Sequence, residues 1–196
     1  MSAPHSHTTA DYIPFDTVCN LIRRLYKEGD YLMSMFFGMA FLGLRCSDIL
    51  KLQWKNLLCE EKLTIVEQKT GKSRELMINR GFQEHAESCR KAMGVKDMSA
   101  YIFLNRFGNV ITIQSLNRKL KQIKGRFNLK GNISTHAIRK SFGREIFNQA
   151  TQKGESGEYA LLKLAEIFGH SSPSITKRYL GIRQSEILNA YSMLQF

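Results

Sequence analysis

The chain has 196 residues, 43% of them hydrophobic and 23% charged, a balance that supports a packed core and excludes a wholly disordered chain. Lys and Arg number 29 against 17 Asp and Glu, a net charge of +12. The expected partner is therefore a polyanion (DNA, RNA or an acidic membrane surface), against the plainer reading of a basic, solvated surface.

Residues 1–11 are polar, with His5 and His7 beside Pro4 and no signal-peptide pattern, and are expected to form a disordered tail. Pro14 to Tyr26 reads as a helix through Val18, Leu21, Ile22 and Leu25. Tyr31 to Leu42 is almost wholly apolar, a buried helix ended by Gly43. Ser47 can cap a short helix bearing Ile49, Leu50 and Leu52, with Trp54 just beyond. The period then drops to two. Leu63, Ile65 and Glu67 alternate with Thr64 and Val66, Thr70-Gly71-Lys72 signals a turn, and Arg74 to Ile78 resumes the pattern: a β-hairpin with a basic tip. A helix is expected over 81–93, ended by Gly94, then an extended piece at Tyr101 to Leu104 and a turn at Phe107-Gly108-Asn109. Ser115 can cap a helix running to about Phe127 that carries Arg118, Lys119, Lys121, Lys124 and Arg126. Thr135 can cap the next, from His136 to about Gln149, followed by a polar loop over 151–157. Glu158 to Phe168 is helical with Gly169 as its stop, and Ser172-Pro173 opens a short helix ending near Gly181. Residues 185–194 carry an apolar stripe, Ile187, Leu188, Tyr191 and Leu194, of a last amphipathic helix.

No repeat or linker interrupts residues 12–196, so the fold class is mainly α with a small antiparallel β-sheet, in one domain. No apolar run of roughly 18 residues is present to span a membrane. Cys19, Cys46, Cys59 and Cys89 contain no Cys-x-x-Cys pair and have no His cluster nearby, which argues against zinc and a disulfide framework and makes a reducing cytoplasm the default.

Four segments carry chemistry-bearing side chains. They are Phe41-Leu42-Gly43-Leu44-Arg45-Cys46-Ser47-Asp48, the hairpin stretch Glu67-Gln68-Lys69-Thr70-Gly71-Lys72, Thr135-His136-Ala137-Ile138-Arg139-Lys140, and Phe168-Gly169-His170 followed by Thr176 and Tyr179. Each alone has an ordinary explanation: a surface Arg, a chance His-x-x-Arg on one helix face, a helix-end Gly-His, a core Tyr. In this order and spacing the set resembles the catalytic domain of the tyrosine recombinase (phage integrase) family, over roughly residues 12–183. The resemblance implies the family's DNA breaking-rejoining fold. It also implies a site-specific recombinase that cuts and rejoins DNA through a 3′-phosphotyrosine, without metal or other cofactor. It assigns Tyr179 as nucleophile, Arg45 and Arg139 as a phosphate clamp, and Lys69 as the acid for the 5′-oxygen, with Lys72 as local rival. His136 becomes general base or phosphate ligand, His170 a second phosphate ligand, and Asp48 a support for the site.

Physical chemistry agrees with those residue types. Transesterification at phosphorus gathers negative charge, and planar, always-charged guanidinium groups donate to phosphate oxygens in pairs. A phenol is a nucleophile that can also leave, as rejoining requires. Tyr12, Tyr26, Tyr31, Tyr101, Tyr159 and Tyr191 lack the Gly-His nine residues upstream and read as core or surface, and His85 reads as solvated. Arg118, Lys119, Lys121, Lys124, Lys140 and Lys72 are candidate DNA contacts. Family members often carry Leu and His where this chain has Ile138 and Lys140, and usually an N-terminal core-binding domain, absent from this sequence. The resemblance further implies double-stranded DNA as partner, a tetrameric synapse on DNA from a chain monomeric without it, accessory DNA-bending proteins in some cases, and a bacterial, nucleoid-associated location. Two other readings stay open: a DNA-binding module without catalysis, which has no need of all six catalytic residues, and a type IB topoisomerase-like relaxase or hairpin-forming resolvase, which would share the chemistry.

Overall fold

The computed structural model describes residues 10–66, 71 and 73–182. Lys69, Lys72 and the helix expected over 185–194 lie outside the described residues, as do residues 1–9 of the expected tail.

The first helix, α1 (Phe15–Lys27), buries Val18, Leu21, Ile22 and Leu25, the stripe its periodicity gives. α2 (Tyr31–Gly38) is capped by Asp30, whose side chain accepts from the Met33 N–H, and tightens into a 3₁₀ turn over Met39–Phe41. The expected single helix to Leu42 is thus two pieces. α3 (Cys46–Ile49) starts one residue after Arg45, not at Ser47. α4 (Trp54–Leu58) was not foreseen; it is five residues long, capped reciprocally by Gln53 and Asn56, and too short for periodicity to show.

β1 (Lys62–Val66) and β2 (Ser73–Met77) form the sheet, antiparallel, with Ile65 opposite Arg74. α5 (Arg80–Ala92) follows. The extended piece at Tyr101 to Leu104 reduces to two isolated bridges, Gln53 with Tyr101 and Leu104 with Val110. α6 (Ile113–Arg126) is capped by Thr112, three residues before the expected Ser115. α7 (Thr135–Gln152) continues past the end expected for it and into the supposed polar loop. α8 (Gly157–Phe168) and α9 (Pro173–Leu180) are capped by Ser156 and Ser172 and end at the left-handed glycines Gly169 and Gly181; the Ser172 cap and both glycines are those read from sequence, whereas Ser156 falls in the supposed polar loop.

Two cores result. The larger joins α1 to α6 and the start of α7 around Phe36, Phe37, Trp54 and Phe103; the smaller joins α7, α8 and α9 around Leu161, Leu164, Phe168 and Leu180. α7 belongs to both, so residues near its start sit at the seam. Two glycines permit the close fit. A Cβ on Gly143 of α7 would lie 2.7 Å from Leu180 and 2.8 Å from Phe168, and one on Gly43 (φ +60°) would lie 2.5 Å from the Phe142 ring.

Two expectations fail here. Ala10 and Asp11 are not tail: the Asp11 N–H donates to the Asn132 carbonyl at 2.8 Å, and the Asn132 N–H returns to the Asp11 carboxylate at 2.7 Å. His85 is not merely solvated: its Nε2 lies 3.0 Å from Ser34 Oγ and 3.4 Å from Cys89 Sγ. Burial holds its imidazole below the usual range.

Candidate active site

The C-terminal end of α8 organises the site. The last carbonyls of a helix have no partner within it and sit at the negative end of its dipole. Guanidinium groups from three segments meet them here. Arg45 Nη2 donates to the Phe168 carbonyl at 3.0 Å and Arg139 Nη2 donates to the same oxygen at 2.9 Å, while Arg74 of β2 donates to the Ile167 carbonyl. Arg139 also donates to the Gly43 carbonyl at 3.0 Å and lies 4.3 Å over the Phe168 ring, with only 4% of its surface exposed. Its plane is therefore fixed before any ligand arrives. Gly43 serves twice, by letting Phe142 approach and by offering that carbonyl.

Gly169 turns the chain so that His170 follows directly. His170 Nδ1 is hydrogen-bonded to Thr176 Oγ1 at 2.9 Å, and Thr176 is fully buried. That bond holds the imidazole and leaves Nε2 as its other polar atom. The Tyr179 ring packs edge-on against both His170 (5.3 Å between centroids) and Phe168 (5.6 Å). Tyr179 Oη is buried without a hydrogen-bond partner among the described residues. Desolvation pushes its phenol up to about 12, while Arg139 and Arg45 pull the other way. Both arginines thus act electrostatically on the hydroxyl that the resemblance makes the nucleophile.

His136, in the first turn of α7, is exposed, and its imidazole is held below the usual range by desolvation, then by Arg139 and Lys140. In its neutral form it can accept a proton. The start of α7 is pinned from two sides: the Thr135 N–H donates to Asn117 Oδ1 of α6 at 3.0 Å, and its hydroxyl meets the Cys46 thiol, which burial raises to about 11. Asp48 is 4% exposed, and its N–H donates to the Arg45 carbonyl at 3.0 Å in the turn that carries Arg45.

The family model described as the phage integrase family matches residues 23–186. The chain belongs to the phage integrase family. By that membership it is a site-specific recombinase of the integrase kind. It is 32% identical over 168 residues to "Probable integrase/recombinase YoeC" of Bacillus subtilis (strain 168), covering 85% of each chain. It is 26% identical to tyrosine recombinase XerC of Pediococcus pentosaceus, over 76% of this chain and 49% of that one; the chain thus spans about half the length of that relative. Solved structures share the fold. A crystal structure of XerA recombinase matches with a TM-score of 0.68 at 17% identity, covering 100% of this chain and 68% of that one. A lambda integrase dimer bound to a COC′ core site matches with a TM-score of 0.64 at 16% identity, over 92% of this chain and 50% of that one.

In this integrase-family chain the structure gathers Arg45, Arg139, His170 and Tyr179 around the end of α8, with His136 one turn before Arg139. The candidate DNA contacts divide. Arg118 and Lys121 are exposed and Lys119 is half-buried, whereas half-buried Lys124 donates to the Gly131 carbonyl, and Arg126 pairs with Glu28 at 2.9 Å. Lys140 is a correction: it is 5% exposed, its Nζ donates to the Ala10 carbonyl at 2.5 Å, and it is no surface phosphate contact. Sequence reasoning gave no role to Arg74, Asn117, Thr176 or the Phe168 carbonyl. A backbone acceptor leaves no mark in side-chain identity, while Thr176 and Arg74 were visible as residues but not as contacts.

Proposed function

We propose that this chain cuts and rejoins DNA at specific sites with Tyr179 as nucleophile. The observation that carries the reading is the Phe168 carbonyl shared by Arg45 and Arg139 beside the Tyr179–His170 ring pair. Tyr179 Oη attacks the phosphorus, its proton passes to His136, and the bond to the 5′-oxygen breaks. That oxygen takes a proton from Lys69, with Lys72 as the alternative donor. A 3′-phosphotyrosine and a free 5′-hydroxyl result, and the reverse reaction reseals the strand. Arg45, Arg139 and His170 Nε2 stabilise the charge on the five-coordinate phosphorus, a task they perform without Mg²⁺, and Asp48 supports the turn that carries Arg45.

Double-stranded DNA is the substrate in this reading, supported by the +12 charge and by the fold shared with XerH bound to difH and with the Tn1549 integrase in complex with circular intermediate DNA. Arg118, Lys119, Lys121 and Lys124 line the face for its backbone. Four copies assemble on paired sites from a chain monomeric without DNA, with accessory bending proteins at some sites, in the bacterial cytoplasm at the nucleoid. The catalytic domain in this reading includes Ala10 and Asp11, which are tied to Lys140 and Asn132. Among the described residues no helix is long and apolar enough to cross a membrane.

The test is peptide mapping of the adduct formed with a nicked suicide duplex. Phosphate linked to Tyr179 and to the 3′ end of the cut strand is the expected result. Linkage to another residue, or a 5′-phosphate linkage, refutes the assignment.

A further inference from the structure

Lys140 and Arg144 lie one turn apart on α7 and so share a face. Both touch residues 10–13 on one side and α9 on the other. On the first side, Lys140 Nζ donates to the Ala10 carbonyl at 2.5 Å, and the Arg144 guanidinium lies 4.8 Å over the Tyr12 ring. Between these, the Ile13 N–H donates to Ser141 Oγ at 2.9 Å, and Asp11 is tied to Asn132. Residues 10–13 therefore form a strap across α7. On the second side, Lys140 Nζ lies 5.2 Å from the centre of the Tyr179 ring, and Arg144 Nε donates to the Leu180 carbonyl at 2.8 Å.

We infer that Lys140 and Arg144 are positioning residues for Tyr179, with the strap of residues 10–13 locking both in place. Lys140 holds the phenol ring by its face, and Arg144 holds the end of α9 one residue further on. Burying an ammonium group is costly unless its contacts compensate, so the strap carbonyl and the ring face keep Lys140 where it is. In-line attack on phosphorus tolerates little error; a displacement of about 1 Å costs roughly a hundredfold in rate. The inference rests on Tyr179 being the nucleophile and extends that reading to residues that touch neither DNA nor the reacting atoms.

The test uses the whole chain with 3-fluorotyrosine at its tyrosines and the Tyr179 ¹⁹F resonance assigned by its loss in Tyr179→Phe. The DNA probe is a nicked duplex selected from a random pool by covalent capture on the wild type. Lys140→Met is expected to move the Tyr179 resonance without DNA present. It should lower single-turnover cleavage about tenfold or more while leaving DNA affinity and its salt dependence as in the wild type, and Lys140→Arg should recover most of the rate. Ser141→Ala, which cuts one tie of the strap without touching α9, should move the same resonance less. If Lys140→Met does not fold, that second variant decides, and an unmoved resonance overturns the inference. So does Lys140→Met cleaving at the wild-type rate, or losing affinity with a shallower salt dependence, which would make Lys140 a phosphate contact. A wild type that captures no duplex, or an adduct that survives Tyr179→Phe, refutes the nucleophile itself. A Tyr179-dependent adduct formed at full rate by Lys140→Met refutes the positioning role alone.

Discussion

Tyr179 is a phenol that burial keeps protonated. Its pKa of about 12 is set by desolvation against the pull of Arg139 and Arg45. Because the folded value lies above the ordinary 10, the unfolded chain loses this proton first as pH rises. The stability Tyr179 contributes is therefore complete below about pH 10 and lost between about 10 and 12. Thermal unfolding of Tyr179→Phe should accordingly fall less steeply than the wild type across that window; parallel curves would contradict the burial of the hydroxyl. His85 and His136 have the opposite sign. Both are held below the usual imidazole range, so the unfolded chain binds protons first and stability falls as pH drops below about 6.5. His85→Gln should flatten that acid-side loss in a Tm-versus-pH series, more than a surface His change does, because His85 is wedged between Ser34, Cys89 and Tyr26.

At the scale of elements, the site depends on how closely α7, α8 and α9 approach. Gly143→Ala places a methyl group against Leu180 and Phe168 and should cost about 1–3 kcal/mol by overpacking, read as a lower midpoint in urea with an unchanged slope. Since Phe168 carries the carbonyl that both arginines share, the same variant should slow cleavage; unaltered stability and rate would show that the seam is looser than the geometry implies. Most of these elements were legible in the sequence. α1, α8 and α9 declared themselves by stripe, cap and terminal glycine, and the hairpin by its alternation. Caps were the weak point. Ser115 and Ser47 have the right chemistry, but the chain turns helical earlier, after Thr112 and Arg45, because apolar residues just upstream are drawn into the core. Lys140 was misread for a related reason. Thr135 and Ala137 to Ser141 are all buried while His136 between them is exposed, so the start of α7 packs on several sides and its sequence pattern does not tell a surface lysine from an enclosed one. The candidate residues Arg45, His136, Arg139, His170 and Tyr179 could be picked out because their order and spacing show in the sequence independently of packing, whereas the Phe168 carbonyl, Thr176, Arg74 and the strap exist only as contacts.

For the whole molecule, the net charge of +12 predicts DNA binding that weakens steeply with salt through counterion release. The basic helix α6 should carry part of that effect unevenly. Arg118→Ala and Lys121→Ala, at exposed positions, should each reduce the salt slope by about one and weaken unrelated sequences as much as the target. Lys124→Ala, whose ammonium already serves the Gly131 carbonyl, should change it less. Equal effects of all three, measured by fluorescence anisotropy across a salt series, would mean that the DNA face extends around the helix.

In the proposed reaction Tyr179, set among arginine and histidine side chains, makes a covalent bond to DNA without help from a metal ion. The most direct measurement incubates the wild type and Tyr179→Phe with the nicked duplex in excess chelator and resolves covalent protein–DNA adducts on a denaturing gel. An adduct from the wild type that is absent from Tyr179→Phe, with DNA affinity unchanged, is the expected result. An adduct that persists in Tyr179→Phe, or cleavage that appears only when a divalent cation is restored, would contradict the claim.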